Sequence, residues 1–122
     1  MTFEERKAQV ASYLGNTATI CIDRPIGYVH VKEKYSLIYR INYGYIPETL
    51  GGDGEELDVY LLGVDQPVEA YTARIIAIVH RENDIEDKLV AAPVGMTFSA
   101  EEIYEAVCFQ EQYYASRVET LE

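Results

Sequence analysis

Short runs of β-branched residues fill the middle of this sequence, and a segment with helical patterning stands on either side of them. Thr17 to Asp23 (TATICID) is one such run, and Tyr71 to His80 (YTARIIAIVH) is the longest. Lys88 to Ala92 can pair back with this long run across the loop at 81–87, as strands joined by a short loop commonly do. The order helix, short strands, helix predicts a mainly β fold with flanking helices (α+β), in which a small, partly closed β-barrel has helices packed outside.

Two helices are predicted by their starting residues. Thr2 to Glu5 and Ser99 to Glu102 both have capping-box spacing, which satisfies the first backbone amides of a helix. The first helix is predicted over 3–14 and the second from 99 to about 116. The other predicted elements are hairpin arms at 28–32 and 35–41 and a strand at 58–62.

Length and charge restrict the function. A chain of 122 residues suits one domain, 1–122. A net charge of −11 argues against a nucleic-acid partner, so any phosphate ligand would need divalent cations to supply positive charge. No apolar run approaches the ~18 residues that span a membrane. Cys21 and Cys108 lack metal or disulfide spacing and are predicted to be buried free thiols, which favours a reducing, cytoplasmic location.

The segment NYGYIPETLGGDGEELDVYLLG, from Asn42 to Gly63, concentrates acidic residues before a strand. Asp53, Glu55, Glu56 and Asp58 repel one another and cannot all be buried without a positive partner. A solvated loop, a calcium loop and a magnesium site are the three interpretations. Val64 stands where an EF-hand counted from Asp53 needs its twelfth-position glutamate, which excludes that calcium loop.

A second acidic cluster favours magnesium over a plain solvated loop. It precedes the Lys88 strand and consists of Glu82, Asp84, Glu86 and Asp87. Carboxylates from two loops suit Mg²⁺, which is bound by a few carboxylates together with substrate phosphates. Tyrosine hydroxyls near the first loop can hydrogen-bond phosphate oxygens without adding charge; they belong to Tyr39, Tyr43, Tyr45 and Tyr60.

Several segments of the chain resemble motifs of one known family, the soluble family I inorganic pyrophosphatases. The family's Asn-Tyr-Gly-[Tyr/Phe]-Ile-Pro element is intact at 42–47, and its Asp-Gly-Asp-Pro-x-Asp element is similar to 53–58, with Glu55 in place of the middle aspartate. Lys88 to Pro93 (KLVAAP) is similar to the strand that follows the family's acidic loop. Phe109-x-Glu111-x-Tyr113 resembles its last helix, and Asp23 in Ile-Asp-Arg-Pro resembles its site glutamate.

The resemblance implies an OB-like barrel and the hydrolysis of pyrophosphate to two orthophosphates with Mg²⁺, for which Mn²⁺ would substitute. It implies metal ligands at Asp53, Glu55, Asp58, Asp84, Glu86 and Asp87, where the choice within the second loop is open. Glu55, Asp58 and Lys88 would be catalytic, with Glu55 as proton acceptor. The expected substrate contacts by resemblance are Asp23, Tyr39, Tyr43, Lys88 and Tyr113. His30 and Lys32 are added to them as replacement cations, because alternation places both on one face of a strand. The family tends to form hexamers or dimers, so a homo-oligomer is among the expectations.

The cations of the family are partly missing here. The hairpin between Gly27 and Tyr39 is shorter than the family's, and Tyr114 stands where the family has a lysine after the helix tyrosine. Candidate replacements are Arg24, His30, Lys32, Arg40 and Arg81. Two alternatives to pyrophosphate hydrolysis stay open: a weakened divalent-cation or phosphate-binding module, and a hydrolase of another phosphoanhydride. His80, Tyr28, Tyr35, Tyr71 and Tyr104 are predicted to be structural.

Overall fold

A computed structural model gives the fold, and it describes residues 3–47, 49, 56–82 and 87–121. The described elements comprise two helices and eight strands. Their order along the chain is α1 (Phe3–Ala11), β1 (Thr17–Arg24), β2 (Val29–Val31), β3 (Ser36–Ile38), β4 (Asn42–Ile46), β5 (Leu57–Leu61), β6 (Ala70–Arg81), β7 (Lys88–Ala92), α2 (Ala100–Glu111) and β8 (Ser116–Thr120).

Five strands close into a barrel, in the order β1-β4-β5-β7-β6, because β6 also pairs with β1. The length of β6 makes this closure feasible. Its first half pairs antiparallel with β1, from Ala70 opposite Cys21 to Arg74 opposite Thr17. Its second half pairs with β8, an additional strand beside the barrel. The predicted barrel is therefore confirmed and is fully closed.

Alternation along the strands separates two apolar clusters. On β5, Leu57, Val59 and Leu61 belong to one cluster, which also contains Val10 of α1. Tyr60 and Leu62 point to the other face and pack with residues of α2. A five-stranded barrel has no room for a helix inside it. The face under α2 is therefore the outside of the barrel, and residues that alternate with Tyr60, such as Asp58, lie on this outer face.

The last helix differs from the prediction. It starts as expected, with Ser99 accepting a hydrogen bond from the Glu102 amide while the Glu102 side chain accepts from the Ser99 amide. It ends at Glu111 instead of continuing to about residue 116, and β8 then begins at Ser116. The prediction missed β8 because its sequence, SRVET, carries no apolar alternation; pairing with the end of β6 makes it a strand.

Two tyrosines and both cysteines also depart from their predicted burial. Tyr28 and Tyr104 are 40% and 37% exposed, so neither is a core residue. Tyr35 and Tyr71 are partly buried against the two apolar clusters. Cys21 and Cys108 are free thiols, as predicted, but they are only half-buried.

Candidate active site

A cavity of about 180 Å³ opens on the outer face of the barrel, beside the end of α2. Its lining combines both signs of charge with aromatic rings. The lining residues are Asp23, Arg24, Lys32, Tyr43, Asp58, Arg81, Lys88, Gln110 and Tyr114. Five of the site residues predicted from sequence are therefore brought together: Asp23, Lys32, Tyr43, Asp58 and Lys88.

Parallel pairing of β5 with β7 brings Asp58 and Lys88 together. Val59 lies opposite Leu89 in this register, so the residues that precede them are neighbours at the start of both strands. The Lys88 Nζ donates a hydrogen bond to Asp58 Oδ2 at 2.5 Å. The Lys88 side chain is 4% exposed, and the Asp58 side chain is 28% exposed. This charge-assisted bond fixes a buried ammonium group at the base of the cavity.

A β-bulge in β1 lets two successive residues, Asp23 and Arg24, line the same cavity. Neighbouring residues of a regular strand point to opposite faces. Here the pairing with β4 shifts between Ile22, which lies opposite Gly44, and Arg24, which lies opposite Tyr43. The extra residue changes the direction of the strand at this point, a common use of bulges near functional sites.

The Asn-Tyr-Gly motif divides its residues between structure and site. Asn42 is buried and joins separate loops, because its Oδ1 accepts from the Ile26 amide while its Nδ2 donates to the Gln66 carbonyl at 2.9 Å. Gly44 admits the close approach of β1, since a Cβ there would lie 1.9 Å from the Cys21 carbonyl oxygen. Tyr43 alone lines the cavity. Two of the three motif residues therefore shape the barrel.

The end of α2 supplies residues that sequence reasoning did not assign to the site. Glu111 is completely buried and accepts two hydrogen bonds from Arg81, Nε to Oε1 at 3.1 Å and Nη2 to Oε2 at 2.7 Å. Burial by itself raises the pKa of Glu111, but bonds from Arg81, Tyr60 and Ser116 outweigh it and hold this pKa below its ordinary value. The Arg81 guanidinium also lies 3.7 Å from the Tyr114 ring.

Three other predicted substrate contacts lie outside the cavity lining. Tyr39 is fully buried, and its hydroxyl oxygen accepts from Arg24 Nη1 at 2.6 Å. Tyr113 is 52% exposed and stacks on Tyr35, at 4.7 Å between ring centroids. His30 has a buried Nδ1 without a hydrogen-bond partner among the described residues. Desolvation, Arg24 and Lys32 together lower the His30 pKa, so an added positive charge there is disfavoured.

The second acidic loop is described only in part. Asp87 is buried, and its oxygens contact His80 Nδ1 at 3.0 Å and the Arg81 amide at 3.2 Å. His80 also contacts Glu119 of β8 through Nε2 at 2.7 Å, which fits the structural role predicted for it. Asp87 is absent from the described cavity lining. The other predicted acidic ligands lie outside the described residues: Asp53, Glu55, Asp84 and Glu86.

The two carboxylates of the cavity influence each other. Partial desolvation raises the pKa of Asp23, and the charge of Asp58 raises it further, while Arg24 opposes this shift. A hard cation between them would relieve this repulsion, so the pair fits a divalent ion as part of a larger ligand set. Among the described residues, no three His, Cys, Asp or Glu side chains form a group that could hold a metal ion.

A wider groove of about 690 Å³ lies near the start of α2, between Arg74 and Leu121. None of the predicted site residues that the structure describes line it, so the smaller cavity is the candidate active site. Over the described residues, neither helix is long and apolar enough to cross a membrane.

Fold and site together define a small, closed β-barrel protein with a charged cavity beside the end of its last helix. The sequence profile of the inorganic pyrophosphatase family matches residues 10–115. The chain therefore belongs to the inorganic pyrophosphatase family.

Curated relatives share only part of their length with this chain. It is 42% identical to an inorganic pyrophosphatase of Saccharolobus solfataricus over 66 residues, which are 51% of this chain and 38% of that protein. It is 26% identical to an inorganic pyrophosphatase of Nanoarchaeum equitans over 98 residues, which are 71% of this chain and 61% of that protein. In both comparisons the match spans less than two thirds of the relative.

Solved structures support the fold. An inorganic pyrophosphatase from Ehrlichia chaffeensis superposes with a TM-score of 0.65 at 17% identity, and the alignment covers 88% of each chain. At this identity the likeness concerns the fold alone, which is that of a pyrophosphatase barrel.

Proposed function

We propose that this protein hydrolyses inorganic pyrophosphate to two orthophosphates, as a Mg²⁺-dependent inorganic diphosphatase that also accepts Mn²⁺. The observation that carries the proposal is the charge of the cavity. On a chain with a net charge of −11, four cationic side chains (Arg24, Lys32, Arg81 and Lys88) face the same 180 Å³ as two carboxylates. Such a cavity suits a small, strongly charged anion together with a cation.

The cations would bind the phosphoryl oxygens. Lys88 has the most fixed position, since Asp58 holds its ammonium group and the Tyr43 ring lies 5.7 Å from it. A preorganised ammonium can neutralise an oxygen on which charge develops during bond cleavage. Lys32 lines the cavity from the end of the hairpin, and its Nζ lies 5.5 Å from the centroid of the Tyr35 ring.

Asp58 would hold the metal ion together with the predicted ligands Asp53, Glu55, Asp84 and Glu86. Asp23 would face the metal ion and these ligands from its own position in the cavity lining. When bound, Mg²⁺ supplies positive charge for phosphate oxygens and lowers the pKa of a water. Asp87 contacts His80 and the Arg81 amide, so its contribution would be to support the loop. Glu55 is proposed as the acceptor of the proton that the attacking water loses.

A reducing, cytoplasmic location suits the two free thiols, and self-association stays a prediction. We propose pyrophosphate as the substrate in preference to a larger phosphoanhydride, because the described part of the cavity measures about 180 Å³. Rates of phosphate release from pyrophosphate, tripolyphosphate and ATP would rank these substrates.

The test is phosphate release from pyrophosphate with Mg²⁺. We expect clear release by the wild type and a loss of at least about 100-fold in Asp58→Asn, because the substitution removes both a metal ligand and the partner of Lys88. Asp65→Asn is the matched control, since Asp65 is an exposed aspartate outside the cavity. Equal rates in Asp58→Asn and wild type would contradict the proposal.

A second candidate function is a phosphate- or cation-binding module without turnover. The described cavity favours it in one respect, since Asp58 is paired with Lys88 and cations outnumber carboxylates. If the wild type binds phosphate and Mn²⁺ but releases no phosphate from pyrophosphate, the protein is a binding module and the hydrolase proposal is wrong.

A further inference from the structure

We infer that Arg24 and Arg81 form a two-armed clamp for the anionic oxygens of the substrate, and that α2 positions both arms through one buried chain of hydrogen bonds. The inference rests on the proposed function for the identity of the anion, which carries two phosphoryl groups. The family resemblance assigns no role to either arginine, and both are only candidate replacement cations in the sequence. Of the candidate replacement cations, Arg40 and His30 are absent from the described cavity lining.

The arm at Arg24 is held by three further side chains. Arg24 Nη1 donates to the Tyr39 hydroxyl, which donates to Gln110 Oε1, both at 2.6 Å. Gln110 Nε2 then donates to the Tyr60 hydroxyl at 2.7 Å. Tyr39 and Tyr60 are fully buried, and Gln110 is 5% exposed. Each hydroxyl accepts one bond and donates the next, so the chain fixes where the guanidinium lies.

The arm at Arg81 completes the same chain. The Tyr60 hydroxyl donates to Glu111 Oε2 at 2.6 Å, and Glu111 accepts the Nε and Nη2 edge of Arg81. Ser116 Oγ donates to Glu111 Oε1 at 2.7 Å. The carboxylate therefore receives four donors while it is completely buried. Arg81 also lines the cavity, as Arg24 does.

Stability alone does not account for this arrangement. A buried ion pair loses about as much free energy by desolvation as it gains by attraction, and apolar residues often replace it without loss. Its effect here is to hold two guanidinium groups in place on one cavity wall. Planar, preoriented guanidinium groups recognise phosphoryl oxygens through paired N–H donors.

Aromatic rings limit the remaining freedom of both arms. The Arg24 guanidinium carbon lies 5.5 Å and 5.6 Å from the Tyr39 and Tyr43 ring centroids. The Arg81 guanidinium lies on the Tyr114 ring. Tyr114 thus contributes to the site by orienting Arg81, although the family has a lysine at this position.

The test is calorimetric binding of methylenediphosphonate, a diphosphate analogue that is not hydrolysed, to the full chain with and without Mg²⁺. We expect Arg24→Lys and Arg81→Lys each to raise the Kd by about 10- to 100-fold, because a lysine retains the charge but not the paired donors. Arg74→Lys is the matched control. Arg74 lies on the same strand as Arg81 but outside the cavity, so we expect a change below about twofold.

Positioning is tested separately with Tyr39→Phe, which removes only the hydroxyl between Arg24 and Gln110. We expect KM for pyrophosphate to rise about 3- to 10-fold with kcat nearly unchanged, the pattern of weakened ground-state and transition-state binding alike. Tyr104→Phe, an exposed tyrosine of α2, should change neither constant. A fall in folded fraction without a KM change would assign Tyr39 a purely structural role.

Labelling of the wild type decides the matter if a variant does not fold. Methylenediphosphonate should slow the reaction of Arg24 with phenylglyoxal at least about fivefold, as followed by mass spectrometry, while Arg74 should react at an unchanged rate. Unchanged Arg24 labelling, or wild-type Kd values in folded Arg24→Lys and Arg81→Lys, would overturn the clamp. If the Kd values and the Arg24 labelling change as expected but the wild type releases no phosphate, the clamp is supported and the hydrolase proposal is wrong. If the wild type releases phosphate but neither the Kd values nor the labelling change, the hydrolase proposal is supported and the clamp is wrong.

Discussion

The Arg81–Glu111 pair allows a quantitative test of why charge is buried under α2. Replacing Arg81 with methionine removes two of the four donors that Glu111 receives and leaves a buried carboxylate with two hydroxyl groups. Loss of one partner from a buried pair costs about 3–5 kcal/mol. Two lost hydrogen bonds to a charged group, at about 1.5–3 kcal/mol each, give a consistent magnitude. We expect Glu111→Gln to cost a similar amount, because it removes the carboxylate that accepts two hydrogen bonds from the buried Arg81 cation.

The double variant should be less damaged than either single variant. In Arg81→Met/Glu111→Gln neither position carries a buried charge, and the glutamine oxygen can accept from the Tyr60 hydroxyl while its amide nitrogen donates to the Ser116 hydroxyl oxygen. We expect it to lose no more than about 2 kcal/mol relative to wild type. Urea unfolding followed by far-UV circular dichroism measures all four free energies.

A surface pair provides the control for this cycle. Arg117 Nε and Glu82 Oε1 are 3.9 Å apart, and both side chains are at least 60% exposed. We expect the corresponding substitutions, Arg117→Met and Glu82→Gln, to change stability by less than about 1 kcal/mol. A buried-pair double variant that loses the sum of the two single losses would refute the claim that Arg81–Glu111 serves position more than stability.

Three further predictions concern the fold. Gly44→Ala should cost about 3 kcal/mol or more, because its Cβ would meet the Cys21 carbonyl oxygen at 1.9 Å; an unchanged urea midpoint would contradict this contact. Ser99→Ala should cost about 1 kcal/mol and lower Tm by about 3–5 °C, since it breaks the capping box with Glu102; calorimetry showing no shift would contradict it. The depressed pKa of Glu111 contributes stability that is present above about pH 4.3 and is lost as pH falls through the folded-state pKa. Stability measured against pH should therefore fall less steeply below pH ~4.3 when Glu111 is replaced by glutamine in the double variant, and identical slopes would contradict it.

Local patterns predicted most strands and the start of each helix. The runs TATICID and YTARIIAIVH, together with KLVAA, became β1, β6 and β7 because β-branched and apolar residues fit a buried pleated surface. The strand β8 had no such pattern, and its paired residues in β6 run from Arg81 opposite Ser116 to Ala77 opposite Thr120, far away along the chain. The length of β6 was the sequence feature that could have indicated an additional strand such as β8, because β1 pairs with only the first half of β6.

The candidate site was predictable where its residues lie at strand ends. Asp58 and Lys88 lie together in the cavity because a parallel register aligns the two strand starts. Arg24 was named only as one candidate cation, because the bulge that turns it into the cavity depends on pairing between β1 and β4. The motif predicts a site role for Tyr113 and none for Tyr114. The helix ends at Glu111, and the chain beyond it places Tyr114 on Arg81.

Anomalous diffraction from crystals soaked with Mn²⁺ and phosphate tests the central claim most directly. The proposed mechanism requires a manganese peak at Asp58 and phosphate density within hydrogen-bond distance of Lys88 and at least one of Arg24 and Arg81. Manganese bound elsewhere, with Asp58 still bonded to Lys88 and the cavity free of phosphate, would contradict it.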